Sequence, residues 1–328
     1  MTRKLASIRR ISALSPIPNA DFIELAQVDG WQVIVKKNEF EVNDLVVYFE
    51  IDSFVPTFVC PFLKNQKEYN SVMGSHLKTI KLKGVVSQGL VLPRDVCISV
   101  LHKEGMDVTE ELEVQLYEKP IPAQLSGMAK GNFPSFIPKT DQERIQNITD
   151  ELWSKYRTVK WEVTEKLDGS SMTMYFKDGV FGVCSRNLEL KLNQEGNTFV
   201  EVASIYEDLM SEFEANIAVQ GELVGPGIQG NHYRLTKPQF YLYNVYDIDA
   251  QRYISPAKAR VVANQLDMNY VPVINESTLL PETKEEVLIG ADSFSWLCDS
   301  LIPNEGVVYK SSLGSFKAIS NKWLLNEK

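Results

Sequence analysis

The sequence predicts an α+β protein in two parts, a small closed β-barrel followed by a mixed domain with mostly antiparallel sheets. Three observations lead there. The N-terminal third is a series of short apolar runs broken by turn pairs, the pattern of a small barrel. Beyond residue 150, β-branched and aromatic runs alternate with two stretches of helical period. Between these regions, residues 104–130 are charged and rich in Pro and Gly, as a join between domains is.

The elements follow in order. IELAQVDGWQVIVKK breaks at Asp29-Gly30, a hairpin signal. NDLVVYFEIDSFVP opens on the turn pair Asn43-Asp44 and then runs apolar. HLKTIKLKGVVSQGLVLP supplies two more short strands around Gly84 and Gln88-Gly89. Its Lys78, Lys81 and Lys83 read equally as a solvated strand face or as a phosphate contact. VTEELEVQLYEKPIPAQ is expected to begin as a short helix and to stop near Pro120. TVKWEVTEKLDGSSMTMYF, DGVFGVCSR, NIAVQGELV and FYLYNVYDI read as strands. NTFVEVASIYEDLMSEFEANI has the apolar spacing of an amphipathic helix. ISPAKARVVANQLDM starts a second helix, with Ser255 as N-cap and Pro256 in the first turn. EGVVYKSSLGSFKAISNKW reads as two strands joined by a Ser/Gly turn.

Composition narrows the function. A chain of 328 residues can bury two cores, and 44% hydrophobic with 23% charged residues is ordinary for a globular protein. No apolar run approaches the roughly 20 residues of a membrane span. MTRKLASIRRISALSP is basic but lacks the apolar core of a signal peptide. Cys60, Cys97, Cys184 and Cys298 are scattered, so reduced thiols in an intracellular protein, cytoplasmic or nuclear, are expected. His76, His102 and His232 share no metal-ligand spacing, which argues against zinc. A net charge of −9 speaks against broad nonspecific binding of nucleic acid. It leaves room for local patches and for carboxylates gathered around a divalent cation.

The segment with most chemistry is Glu165-Lys166-Leu167-Asp168-Gly169-Ser170-Ser171. On a strand running from Trp161, residues Glu162, Thr164, Lys166 and Asp168 share one face. Gly169 then permits a sharp turn or close approach. Alone, this also reads as a solvated strand end. Downstream stand Cys184-Ser185-Arg186-Asn187, Gly221-Glu222-Leu223, Phe240 to Ile248, Glu305-Gly306-Val307-Val308 and Phe316-Lys317 with Asn321-Lys322-Trp323. In that order they resemble the motifs of the covalent nucleotidyltransferases, the superfamily of DNA ligases, RNA ligases and mRNA capping enzymes. SPIPNADFIELAQVDGWQVIVKK, KLKGVVSQGLVLP and FIPKTDQERIQN extend the resemblance to RNA ligases of the Deinococcus and Naegleria type. The resemblance implies an N-terminal OB-like β-barrel over residues 1–118. A nucleotidyltransferase (ATP-grasp-like ligase) domain would follow over 119–328.

It also implies roles. Lys166 would take AMP from ATP and pass it to a 5′-phosphate, from which an attacking 3′-hydroxyl would then displace it. A free lysine, with a pKa of about 10.4, is protonated at neutral pH. Carboxylates alone would hold the proton on, whereas a cation reverses that balance. Asp168 and Glu305 are therefore expected to hold hydrated Mg²⁺ (or Mn²⁺) rather than to pair with Lys166 directly. Glu165, Arg186, Glu222 and Arg144 are expected around the nucleotide, Glu222 on the ribose. Tyr246 is expected to stack on adenine, with Tyr243 as the alternative. Lys317 would neutralise charge developing on the α-phosphate. Here the chain departs from the K-x-K of many relatives, having Lys317-Ala318-Ile319, and Lys322 is the candidate replacement.

The expected substrate is RNA with 5′-phosphate and 3′-hydroxyl ends, in a duplex, handled by a monomer without a membrane. The N-terminal domain would either grip the duplex or close over ATP. A DNA ligase or a capping-type guanylyltransferase is the alternative enzyme. A noncatalytic nucleic-acid-binding protein with a degenerate ligase domain is the alternative of another class. Gly225 to Gly230 spells G-x-G-x-x-G, but no amphipathic helix follows, so a dinucleotide site is rejected.

Overall fold

A computed structural model describes residues 3–97, 103–118, 127–193, 195–213, 215–298 and 301–326. The chain divides into two compact units. The first comprises Met1–Pro120, Ile145–Thr149 and Leu324–Lys328, and the second Ile121–Arg144 and Asp150–Trp323.

The first unit is built from short strands, as the turn pairs require. They are β1 (Ala6–Pro16), β2 (Ile23–Val28), β3 (Trp31–Lys36), β4 (Leu45–Phe49), β5 (Ser53–Pro56), β6 (Lys67–Tyr69), β7 (Val72–His76), β8 (Thr79–Leu82), β9 (Val85–Gln88), β10 (Leu90–Pro93) and β11 (Gln115–Leu116). A five-stranded sheet runs β10-β4-β1-β2-β3 and a four-stranded sheet β11-β5-β7-β6, with β8–β9 a separate hairpin. Strand β1 is the spine: it pairs with β4 through its first half and with β2 through its second, with a bulge between Ile11 and Ala13. A bulge adds twist and bends a strand, so one strand can serve two parts of a barrel. Ala6, Ile8, Val47 and Phe49 feed one core, and Ile11, Trp31, Val46 and Tyr48 the other.

Asp29 turns the β2–β3 hairpin in the left-handed region, at φ 51°. The short helix expected after Val108 does not form. Thr109 Oγ1 instead accepts the Leu5 and Ala6 amides at 3.0 and 3.1 Å, tying the segment to β1 as turns that lead into β11. Pro120, its expected end, lies outside the described residues. Residues 145–149 are clasped within this unit. Asn147 accepts Trp31 Nε1 at 2.7 Å and donates to the buried Glu50 at 2.6 Å, while Arg3 pairs with Glu50 at 2.7 Å.

The second unit holds the remaining strands: β12 (Ala129–Asn132), β13 (Glu143–Arg144), β14 (Trp161–Lys166), β15 (Ser170–Lys177), β16 (Val180–Cys184), β17 (Leu188–Leu190), β18 (Ile217–Val224), β19 (Gln239–Asp247), β20 (Arg252–Tyr253), β21 (Asn269–Tyr270), β22 (Val273–Thr278), β23 (Gly306–Ser311) and β24 (Gly314–Ile319). Its helices are α1 (Asp150–Tyr156), α2 (Thr198–Ser204), α3 (Glu207–Ser211), α4 (Pro256–Gln265), α5 (Lys284–Ala291) and α6 (Asn321–Asn326). One sheet runs β12-β17-β16-β15-β18-β19-β20 with β21 beside β19, and another runs β13-β24-β23-β14-β22. Pairing is antiparallel except at β13–β24 and β19–β21.

Alternation along β15 and β18 sends Met172, Met174, Val219 and Leu223 into a core with α2, α3 and α4. The opposite face carries Ser171, Thr173, Gln220 and Glu222. The amphipathic stretch after Asn197 forms two helices rather than one, because Tyr206, buried beside Phe240 at 6.3 Å, interrupts it. Ser255 caps α4 as expected, accepting the Lys258 amide. Residues 225–230 form a loop with no helix after it. No described helix is long and apolar enough to cross a membrane.

Candidate active site

Strand β14 positions the lysine. Its alternation puts Glu162, Thr164 and Lys166 on one face and Trp161, Val163 and Glu165 on the other. Neighbouring strands extend the first face by register. Lys166 stands opposite Gly306 and then Ile319, while Thr164 stands opposite Val308, Lys317 and Arg144 in turn. Lys317 and Arg144 therefore lie one row from Lys166, on strands that sequence spacing alone cannot align.

After Lys166 the chain turns through Leu167-Asp168-Gly169 into β15. Leu167 is buried with Val224 and Tyr233, and Asp168 N donates to Tyr233 Oη at 2.7 Å. Gly169 is required by proximity. A Cβ there would lie 2.4 Å from Leu223 O, 2.7 Å from Val224 Cγ1 and 2.9 Å from Glu222 Cγ. That closeness brings Glu222, opposite Ser171 on β18, to the lysine.

Lys166 Nζ lies 2.6 Å from Glu305 Oε1 and 2.7 Å from Glu305 Oε2. Burial works against its charge, but Glu305, Glu222 and Asp168 outweigh burial and hold it above the ordinary lysine value. Without ligands the lysine is thus a firmly held ammonium. The direct Lys166–Glu305 pair corrects the expectation that Glu305 would avoid direct contact with the lysine. Burial, with Glu305 and Asp168 adding their charge, pushes Glu222 up to about 8, against the pull of Lys166 and the Gly169 amide.

Other expected residues fall elsewhere. Glu165 turns away from the lysine face, as alternation demands, and accepts the Trp296 amide at 2.8 Å in the interior. Tyr246, the residue expected on adenine, packs with Tyr175, Cys184, Ala218 and Ile248. Ala218 is four residues along β18 from Glu222, so this ring lies down the sheet from the carboxylates. Tyr243 Oη reaches Ser171 Oγ at 3.5 Å, and Ser171 Oγ is 3.2 Å from Thr140 Oγ1. Tyr243 is half-buried, and its removal from water, with the Glu222 charge adding to it, raises its phenol above the ordinary tyrosine range. Arg186 sits on the loop after β16 and pairs with Asp141 at 3.0 Å. Lys322 lies on α6, largely exposed, 3.9 Å from Asp292, while Ile319 is buried in the row of Lys166. The strand ends before Lys322, so it does not stand in that row.

Sequence reasoning missed Tyr233, Ser171 and Lys310. Ser171 is the second residue after the K-x-D-G turn, and Tyr233 lies just after the discounted glycine loop. Lys310 shares the face of Lys317 by alternation from Val308. Its ammonium donates to the Tyr243 carbonyl, and burial lowers it to about 8 despite Glu162.

Among the described residues no group of three or more His, Cys, Asp or Glu side chains is set up to hold a metal. The donor chemistry still suits Mg²⁺ or Mn²⁺. Mg²⁺ keeps several waters and needs only one or two carboxylates besides phosphate oxygens. Asp168 and Glu305, both felt by the Lys166 charge, supply two.

A family model described as an OB-fold domain matches residues 5–94, and one described as RNA ligase matches residues 159–323. The solved Naegleria gruberi RNA ligase with PPi is 41% identical over 98% of each chain, with a TM-score of 0.90. A variant of that enzyme with ATP and Mn is 40% identical over 98% of each chain, also at 0.90. Another, with AMP and Mn, is 40% identical over 98% of each chain at 0.91. Comparison with curated protein sequences found no match.

Proposed function

Because this chain belongs to the RNA ligase family, we propose that it joins 3′-hydroxyl and 5′-phosphate RNA ends through an adenylylated Lys166. The observation that carries the reading is Lys166 Nζ held by Glu305 at 2.6 Å within the field of Glu222 and Asp168. A lysine so surrounded must lose a proton before it can attack phosphorus. Asp168 and Glu305 would hold a divalent cation, whose positive charge would favour the neutral amine and screen the triphosphate.

In the first step the Lys166 amine forms a bond to the α-phosphorus of ATP, and the bond to pyrophosphate breaks. AMP then passes to a 5′-phosphate, freeing the lysine. A 3′-hydroxyl forms the phosphodiester and AMP leaves. Lys317, one row from Lys166 on the same face, stabilises charge on the α-phosphate, and Arg144 beside it serves a phosphate as well. Glu222 accepts from the ribose, its carboxylate steered by the Gly169 amide. Tyr243 rather than Tyr246 stacks on adenine. Arg186 and Lys322 are exposed cations suited to the polynucleotide instead.

The proposal takes residues 1–118 as the OB-like domain and 119–328 as the adenylylation domain. It takes nicked duplex RNA as the substrate and a monomer as the working form. The family's naming and the solved complexes with ATP, AMP, PPi and Mn support it. The test is incubation with Mg²⁺ and ATP labelled at the α-phosphate, followed by a denaturing gel, with Lys166→Ala in parallel. A labelled band lost in the variant and without metal is expected. No label on protein free of AMP would favour the noncatalytic alternative.

A further inference from the structure

Residues 293–296 and 301–304, between α5 and β23, pair as a short ribbon. The Ser293 amide meets Asn304 Oδ1 at 3.2 Å, the Asn304 amide meets Ser293 O at 3.1 Å, and the Ser295 amide meets Ile302 O at 2.8 Å. Phe294 bridges Pro303 as an antiparallel pair. This pairing puts Phe294, Trp296, Leu301 and Pro303 on one face and Ser295, Ile302 and Asn304 on the other.

The burial is the reverse of an ordinary surface ribbon. Ser295 and Asn304 are turned inward, at 8% and 0% exposure, whereas Phe294, Trp296 and Leu301 are 53%, 60% and 82% exposed. The inward polar groups have work to do. Glu165 accepts the Trp296 amide, with Ser295 and Leu297 adding bonds, and Asn304 Nδ2 donates to Gly306 O at 3.2 Å. The ribbon is thereby fixed to the residues flanking Lys166 and Glu305. An apolar face held so firmly by residues that adjoin Lys166 and Glu305 in the chain, and left to solvent, is the mark of an interaction site.

We propose that this face is a stacking platform for nucleobases of the RNA strand that carries the reacting phosphate, with Trp296 and Phe294 as the principal contacts. The inference rests on the RNA ligase reading above and adds the substrate contact to it. Three features select a base over other occupants. Exposed aromatic rings stack on any base without regard to sequence, which suits an enzyme that must join many ends. The exposed Lys322 ammonium, 3.9 Å from Asp292 at the foot of the ribbon, offers a cation for the backbone of the same strand. The ribbon that carries the platform also leads straight into the site, because Asn304, on its inner face, precedes Glu305 directly.

The test separates lysine adenylylation from RNA engagement. Trp296→Ala and Trp296→Phe are compared with wild type in lysyl-AMP formation from labelled ATP without RNA. They are then compared in sealing a nicked RNA duplex whose 5′ end already carries AMP. Trp296→Ala should keep lysyl-AMP formation while its KM for the nicked RNA rises on the order of tenfold, the scale of one lost base stack. Trp296→Phe should restore most of that loss, and kcat at saturating RNA should hold. A fall in lysyl-AMP formation matching the fall in sealing would assign the ring to ATP or to folding and overturn the proposal. An unchanged KM with active wild type would overturn it alone, whereas wild type that seals nothing would overturn the ligase reading as well.

Discussion

Gly169→Ala isolates what the K-x-D-G turn needs from its glycine. The added methyl would lie 2.4 Å from Leu223 O, a backbone atom fixed by the β15–β18 ladder where Ser170 faces Leu223. Ordinary contact starts at about 3.5 Å, so the turn must retreat by roughly 1 Å. Side-chain movement relieves only part of this, because Val224 Cγ1 and Glu222 Cγ are also within 3.0 Å. Overpacking of this kind costs about 1–3 kcal/mol of stability. A reactive group moved by about 1 Å loses on the order of 100-fold in rate. Lys166 is attached to the displaced turn and Glu222 Cγ is pressed by the methyl, so single-turnover lysyl-AMP formation should fall by that order. Thermal unfolding should drop by a few degrees at the same time. Gly290→Ala is the control: it lies in α5 with open space around it, and should add about 0.5–1 kcal/mol with no loss of rate. A Gly169→Ala enzyme that adenylylates at the wild-type rate would refute the close-approach argument.

Tyr243→Ala should raise the KM for ATP roughly 3- to 10-fold, as the loss of an aromatic stack of about 0.5–1.5 kcal/mol would. Tyr246→Ala, from a buried cluster, should instead cost about 3 kcal/mol in denaturant unfolding and leave that KM alone; the reverse pattern would return the adenine contact to Tyr246. Glu222 is raised from 4.5 to about 8 in the folded chain, so the fold favours its protonated form and the stability it contributes is complete below about pH 4.5. That contribution fades as the pH rises through about 8, so ligand-free Glu222→Gln should gain on wild type in Tm between those limits; a constant gap would show the carboxyl is not perturbed. Asn147→Ala leaves Trp31 Nε1 and Glu50 without the partner they share and should cost about 1–3 kcal/mol, read as earlier unfolding of the first unit; an unaltered unfolding curve would mean water replaces the amide fully.

Much of this protein can be read from its amino acids alone, wherever the information is local. Asp29-Gly30 turns a hairpin because an Asp tolerates positive φ, and Ser255-Pro256 starts α4 because cap and ring both suit a first turn. The K-x-D-G segment and the ordered motifs after it identified the RNA ligase family, and the alternation of β14 already put Lys166 on the face of Glu162 and Thr164. What escaped depends on contacts between distant residues. Tyr243 and Tyr246 lie on one strand, and their different surroundings come from β18 and from the 133–138 segment, not from their own neighbours. Glu165 adjoins the nucleophile in sequence, yet strand alternation turns it toward Trp296, 131 residues away. The helix expected after Val108 gave way to tertiary capture by β1 through Thr109. The charge state of the lysine lies furthest from sequence. Residue types announce a lysine and several acids, but whether the lysine is neutral or an ammonium depends on ångström-scale distances in a buried place. Only the packing of β14, β15, β18 and β23 sets those distances, because Coulomb energy follows separation and dielectric rather than order along the chain.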